Sequence, residues 1–286
     1  MSKSSQILCG CIFAIGINLA GAETRLLASN INNPILRVIV LETKDLRMRA
    51  DGIKPLSISG IYSSKRKIQS INLRLNNGVI ETSIDSNFKK WNRLPSDFEL
   101  VVTSKDPRGI WLGNRRYRGK LKVILDSDNF LVINQLKMET YLNSVVGSEM
   151  PKIWPMEALK AQAVAARTYV LEQIVRRQKK PIRSTVSNQV YLGIEAETPR
   201  TIKAVKKTRS LVAVHKGRLI NAVFHSSSGG RTEDSGSVWK YQMPYLVSVN
   251  DFDQDSPKYK WEKNFPQTDL KRIFYEINGL NSIEVL

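Results

Sequence analysis

At Met138 the apolar spacing of this chain changes from that of strands to that of helices, so the two stretches on either side cannot share one kind of secondary structure. From Leu36 to Leu136 apolar residues come in short or alternating runs: Leu36-Arg-Val-Ile-Val-Leu41, Ile68 to Leu75, Phe98 to Thr103, Leu121 to Leu125 and Phe130 to Asn134. Asn76-Asn77-Gly78, Asp106-Pro107 and Asp126 to Asn129 separate them with turn-forming residues, so this part reads as β-rich. Met138 to Val146 then reads as a short helix with Tyr141, Leu142 and Val145 on one face, broken by Glu149-Met-Pro151. Pro155 opens a longer helix to about Gln178, in which Leu159, Ala163, Ala166, Val170 and Ile174 form one apolar stripe. The expected fold class is α+β, with a β-rich N-terminal portion followed by a helical segment and further hairpins.

Beyond the long helix, Ser187-Asn-Gln-Val-Tyr191 reads as a strand entering a turn at Gly193. Thr198 to Thr208 reads as a third helix with Ile202 and Val205 turned inward. Leu211 to Val214, Lys216-Gly217 and Leu219 to Phe224 form a hairpin pattern that delivers His225-Ser-Ser-Ser-Gly-Gly-Arg-Thr232 at its end.

The N-terminus has the layout of a short signal peptide: Lys3, an apolar run from Ile7 to Leu19 interrupted by Asn18, and Ala20-Gly21-Ala22 as a small-residue cleavage site. The run is shorter than the roughly 20 residues a spanning helix needs. A mature chain is therefore expected to begin near Glu23, outside the cytoplasm, in the periplasm or cell wall and without stable membrane insertion. Cys9 and Cys11 would leave with the peptide, which removes thiol nucleophiles and thiolate metal sites from consideration. A lipid anchor at Cys11, in Leu8-Cys-Gly-Cys11, is the alternative, but little apolar sequence precedes it.

The formal net charge is +18, with basic clusters at Lys65-Arg66-Lys67, Arg115-Arg-Tyr-Arg118, Arg176-Arg177, Lys179-Lys180 and Lys206-Lys207. Such an excess suggests a polyanion partner. Export argues against nucleic acid and toward wall polymers, lipid head groups or the lactyl carboxylates of glycan strands. A solvated basic surface is the plain alternative.

Among candidate reactive groups, Glu149 stands in a Pro-rich elbow directly before an Ala-rich helix, where rigid backbone would fix a general acid. A capping or surface carboxylate is the competing reading. Lys160 and Arg167 lie two turns apart on one side of the helix and could meet an anionic substrate. Cations near Glu149 would lower its pKa and desolvation would raise it, and the sequence leaves the outcome open. The segment His225 to Thr232 offers hydroxyls and, at Gly229 and Gly230, close backbone approach. It lacks the Gly-x-Ser-x-Gly elbow of a serine hydrolase. With only two histidines and no mature cysteine, a zinc enzyme is poorly supported, and no phosphate loop is present. What survives is carboxylate acid chemistry beside a glycine-serine loop, with Trp154, Trp239, Tyr169, Tyr191 and Tyr245 available to stack on sugar rings.

These residues together resemble the stage II sporulation protein D (SpoIID/LytB) family. The resemblance runs through Tyr141-Leu142, Val145-Val146, Glu149-Met-Pro151, Trp154-Pro155, Glu157 to Tyr169, Gln189-Val-Tyr191, Phe224 to Thr232 and Pro244-Tyr-Leu246. Characterised members are peptidoglycan lytic transglycosylases acting on glycan strands without stem peptides, and others are described as amidase enhancers. With the signal peptide at 1–22 set aside, the expected organisation is one family-like domain at 23–286: a β-rich part at about 34–136, a catalytic helix and hairpin part at about 137–253, and a shortened C-terminal part at 254–286. The resemblance implies Glu149 as catalytic acid, cleaving the bond between N-acetylmuramic acid and N-acetylglucosamine with a 1,6-anhydro product. It further implies a substrate groove lined by Lys160, Arg167, Gln189, Tyr191, His225, Ser226, Ser228, Gly229, Gly230 and Tyr245. Some members bind zinc through Cys and His near Gln-Val-Tyr; Arg183 to Asn188 offers neither residue type, so no metal and no cofactor are expected. The expected partners are glycan strands, with a wall amidase as a second candidate and no nucleic acid. A non-catalytic glycan-binding amidase enhancer is the alternative reading.

Overall fold

The structure, a computed structural model, describes residues 24–28, 33–62, 64–85, 90–176, 180–262 and 264–273. The signal-peptide reading therefore lies outside the described residues. The fold is α+β, as expected: strands dominate up to Lys137 and helices follow.

A seven-stranded sheet runs in the order Ile182–Arg183, Ile35–Thr43, Asn129–Lys137, Lys120–Asp126, Glu99–Ser104, Leu56–Ser59 and Arg66–Ile68. Only its first pair is parallel. Alternation explains how it packs: Leu36 and Val38, Leu100 and Val102, and Leu121 and Val123 are almost wholly buried, while Arg37 and Glu99 face outward. Asn129–Lys137 differs, because every residue from Phe130 to Asn134 is buried. It is covered on both faces and supplies a polar group, Asn134, to the interior.

A six-stranded sheet follows the order Arg115–Tyr117, Ile110–Leu112, Asp45–Arg49, Ser70–Asn76, Val79–Ile84 and Asn92–Leu94. The single run expected from Ile68 to Leu75 is thus two strands in two sheets, and the chain crosses between them at Gln69. Asp85 Oδ1 accepts the backbone N–H groups of Gln69 at 2.6 Å and Ser70 at 3.0 Å, serving donors at the crossing. The Asn77-Gly78 turn takes φ values of 49° and 77°, the paired left-handed conformations of a tight hairpin.

Helix α1, Met138–Glu149, continues directly from the strand Asn129–Lys137. Asn33 Oδ1 accepts the N–H of Glu139 at 3.0 Å in its first turn. α1 runs three residues past the expected end, so Glu149 is its last residue rather than part of the break. The stop falls at Met150, held extended (φ −144°, ψ 158°) ahead of Pro151. Gly147 permits a close crossing: a Cβ there would sit 2.1 Å from the carbonyl oxygen of Ala196, in the 3₁₀ turn Gly193–Ala196. Helix α2, Met156–Arg176, begins one residue after the expected Pro155 and buries its predicted stripe from Leu159 to Val170, with Leu159, Ala163 and Ala166 fully inside and Ile174 half-buried.

Helix α3, Pro199–Lys207, is capped reciprocally, Thr198 Oγ1 accepting the N–H of Thr201 at 3.1 Å and Thr201 Oγ1 that of Thr198 at 2.9 Å. Its inward face is Thr201, Ala204 and Val205. Ile202, expected inward, is 39% exposed because it lies a full 100° step away from Thr201. Ser187 to Tyr191 is not a strand; its backbone leads into the 3₁₀ turn, and Ser184 Oγ takes the N–H and serves the carbonyl of Tyr191 at 3.0 Å each. The predicted hairpin is real but shorter: Leu211–His215 pairs with Arg218–Leu219 alone, and residues 220–224 leave the ladder. Its other edge pairs with Thr24–Ala28.

Candidate functional site

Glu149 is the buried carboxyl of the helical half, 8% exposed at the C-terminal end of α1. Its Oε1 accepts the backbone N–H of Val190 at 2.5 Å. Burial drives its pKa up to about 7, and the Val190 hydrogen bond only partly offsets that rise. The contest left open by the sequence is thereby resolved in favour of desolvation, since no cation contributes to the shift. A carboxyl in this state can both give and take a proton near neutral pH.

The partner N–H is held in place by its neighbours. Gln189 donates from Nε2 to the carbonyl of Ala166 in α2 at 3.1 Å and accepts the hydroxyl of Tyr141 in α1 at 3.1 Å. Tyr191 donates its hydroxyl to Asn134 Oδ1 at 2.8 Å, and its ring centroid lies 5.0 Å from that of Tyr141. Gln189 and Tyr191 are 1% and 2% exposed, so they tie the Val190 backbone to α1, α2 and the large sheet instead of lining an open groove. Burial raises the hydroxyl pKa of both Tyr141 and Tyr191 further above the usual phenol range, so both remain neutral donors.

Arg167 also has an occupation other than the expected one. It is fully buried; Nε and Nη2 donate to the two oxygens of Glu139 at 2.8 and 2.9 Å, and the remaining donors reach the carbonyls of Ala163, Val205 and Leu211. The guanidinium thus joins α1, α2, α3 and the hairpin, with no face left for a substrate. Lys160 pairs with Glu157 one turn away at 2.7 Å, on a partly exposed flank of α2.

The glycine-serine loop forms a separate constellation. Asp253 Oδ2 accepts the Ser227 hydroxyl and the N–H groups of Ser228 at 2.7 Å and Gly229 at 3.0 Å, while Ser228 Oγ donates to Asp251 at 2.8 Å. Burial pushes the Asp253 carboxyl up, but the Ser227 hydroxyl and the Gly229, Ser228 and Gly230 N–H groups outweigh it and hold the group at about 2. Gly229 and Gly230 take positive φ values of 76° and 105°, and a Cβ on Gly230 would approach the Tyr259 hydroxyl to 3.0 Å. His225 is exposed and Ser226 half-buried. Tyr245 accepts the N–H of Asn221 at 3.2 Å and packs its ring 5.5 Å from His215. Among the described residues no hydrogen bond links Glu149 to this loop, to Lys160, to Arg167 or to Tyr245. Of the aromatics, Tyr169 is buried and Trp239 is 47% exposed.

Two groups escaped the sequence reading. Asp253, buried at the centre of the loop, sits where the family resemblance fades, and its acceptor role exists only once the loop has folded around it. Gln162 is 0% exposed, and neither atom of its amide has a hydrogen-bond partner among the described residues. It lies one turn from Ala166, on the side of α2 that receives Gln189. An unspent buried amide of this kind calls for a ligand or water to complete it. Among the described residues no three His, Asp, Glu or Cys side chains gather as a metal site.

Residues 126–215 match the family model described as stage II sporulation protein, SpoIID. This segment is similar to the stage II sporulation protein D family. The SpoIID segment holds α1, α2 and α3 together with Glu149, Arg167 and Gln189 to Tyr191, and stops short of the Asp253-centred loop. The chain is 33% identical over 170 residues to the stage II sporulation protein D of Bacillus subtilis (strain 168), covering 53% of this chain and 50% of that protein. It is 40% identical over 120 residues to the amidase enhancer of the same organism, covering 42% of this chain and 16% of the relative. A protein of Brachyspira hyodysenteriae (strain ATCC 49526 / WA1) is 40% identical over 153 residues, 52% of this chain and 41% of its own length. The matched stretches span half or less of each of these relatives.

Proposed function

We propose that this chain is an exported cell-wall protein that cleaves peptidoglycan glycan strands as a lytic transglycosylase, with Glu149 as the single acid and base. The observation that carries the reading is the desolvated Glu149 carboxyl, poised at about 7 and fixed by one backbone N–H. In its protonated form Glu149 donates to the oxygen between N-acetylmuramic acid and N-acetylglucosamine, and the C1–O bond breaks as N-acetylglucosamine leaves with that proton. The carboxylate so formed takes the proton of the muramyl C6 hydroxyl as its oxygen bonds to C1, giving the 1,6-anhydro ring and restoring the acid. The nucleophile belongs to the substrate, so the second carboxylate of an ordinary glycosidase is not needed. His225, Ser226, Ser228, Gly229 and Gly230 remain the groove-lining candidates, presented by the loop that Asp253 organises.

Purified glycan strands are digested with the wild type and with Glu149→Gln, and products are read by mass spectrometry. Anhydro-muramyl ends are expected from the wild type, with a rate loss of about 10²–10⁴ in the variant. Wild-type protein that binds the strands but yields no anhydro product sinks the reading. It would favour instead a non-catalytic glycan binder that stimulates an amidase, the reading suggested by the amidase-enhancer relative.

A further inference from the structure

An open pocket of about 400 Å³, none of whose lining residues belongs to the helical half, lies in the β-rich half, where the outermost strands of the two large sheets meet. Arg66 from the strand Arg66–Ile68 closes one side, and Asn92, Arg93 and Leu94 from the strand Asn92–Leu94 close the other, with Tyr62 and Lys90 completing the wall. The volume falls in the range of small-ligand pockets, about 300–1,000 Å³.

Its electrostatics are one-sided. Arg66, Lys90 and Arg93 are exposed, and none forms an ion pair among the described residues. The acids of the adjoining strand are engaged elsewhere. Glu81, opposite Arg93 in the ladder, is held by Arg74 at 2.7 Å, and Asp85 accepts the backbone at the Gln69 crossing. Arg66 stacks over the Tyr62 ring at 4.1 Å, which orients the guanidinium while leaving its in-plane N–H donors available. Three cations without an ion-pair partner among the described residues, an amide at Asn92 and apolar surface from Leu94 and the Tyr62 ring suit a ligand that carries an anionic group on a body with both hydroxyl and C–H faces.

We propose that this cavity is a second binding site, separate from the acid chemistry, for an anionic sugar unit bearing a carboxylate or phosphate. The site lies outside the SpoIID segment at 126–215 and its test involves no turnover, so it stands or falls independently of the role of Glu149. On this view the β-rich half holds a charged stretch of glycan while the helical half works on another.

The test is isothermal titration of the purified full chain with glucuronic acid, glucose 6-phosphate, glucose and inorganic phosphate, at low and moderate salt. The two anionic sugars are expected to bind, weakening with salt, and glucose and inorganic phosphate to bind at least roughly tenfold more weakly. Lys90→Gln and Arg93→Gln, made separately because both side chains are exposed and each should fold, are each expected to weaken the anionic sugars about tenfold. Lys206→Gln, on α3 outside the cavity, should leave them unchanged. Any of four results overturns the proposal: no anionic-sugar binding at about 10 mM, equal binding of glucose or inorganic phosphate, folded pocket variants that bind like the wild type, or an equal loss in Lys206→Gln.

Discussion

Replacing Glu149 by Gln should stabilise the protein, by an amount that grows with pH. The wild-type carboxyl titrates at 4.5 in an open chain and at about 7 in the fold, because burial disfavours its charged form. Below pH 4.5 both states carry the proton and the site contributes no penalty. Between the two values the unfolded chain releases the proton first, so stability falls as pH rises. Above pH 7 both states are ionised and the full penalty, about 3 kcal/mol, is in force. With the residue only 8% exposed, solvent screening removes little of this. Gln does not titrate, and its amide oxygen can still accept the Val190 N–H. The stability difference between variant and wild type should therefore widen by about 2.5 kcal/mol between pH 5 and pH 8, a relative gain in melting temperature of roughly 5–10 °C for a chain of this size. Thermal and urea unfolding of both proteins at matched pH measure it, and taking the difference cancels the titration of every other group. A difference that stays flat with pH, or shrinks as pH rises, would refute the claim that Glu149 is held protonated by its surroundings.

Arg167→Met should destabilise the fold by about 3–5 kcal/mol, because it strands the Glu139 carboxylate, whereas adding Glu139→Met should recover most of the loss; denaturant unfolding of the two variants separates these outcomes. Gly147→Ala should cost about 1–3 kcal/mol, since the new methyl meets the Ala196 carbonyl and backbone must shift; a neutral result in thermal unfolding would contradict the close crossing of α1 and the 3₁₀ turn. Asp253→Asn should speed hydrogen exchange at Ser228 and Gly229 while leaving α2 protected. In the wild type the same loop contacts should persist at neutral pH and fade only as acidity approaches pH 2, because an acid depressed by its donors stabilises above its open-chain pKa and loses that contribution as pH falls through its folded one.

Elements with one buried face were legible from the chain. Leu36 with Val38, and Leu159 with Ala163 and Ala166, repeat at the period their element imposes, so the interior writes itself into the order of residues. The crossing at Gln69 was not legible, because an alternating run looks the same whether it stays in one sheet or passes to another; Asp85, sixteen residues away, serves that backbone. Arg167 misled for a related reason. A cation at helical spacing from Lys160 reads as surface, and only the arrival of Glu139 from a different helix makes its burial tolerable. Glu149 was visible as a fixed acid, but its proton affinity depends on Val190 and on how thoroughly α1 is covered, neither of which leaves a local trace. Ile202 failed by a single helical step, a turn of about 100° that carries a side chain off the buried face.

The strand Thr24–Ala28 bears on the order in which this fold can be completed. Its register places Thr24 against His215 and Ala28 against Leu211, so most of the described chain lies between the partners. Both large sheets and the three helices can form from segments nearer in sequence, whereas this ladder must wait until the Leu211–His215 hairpin exists. Until that hairpin exists the strand has no ladder partner, so its pairing comes late in folding. The ladder acts as a clasp joining the start of the described fold to the hairpin that buttresses Arg167, and opening it should loosen the helical half before the β-rich half.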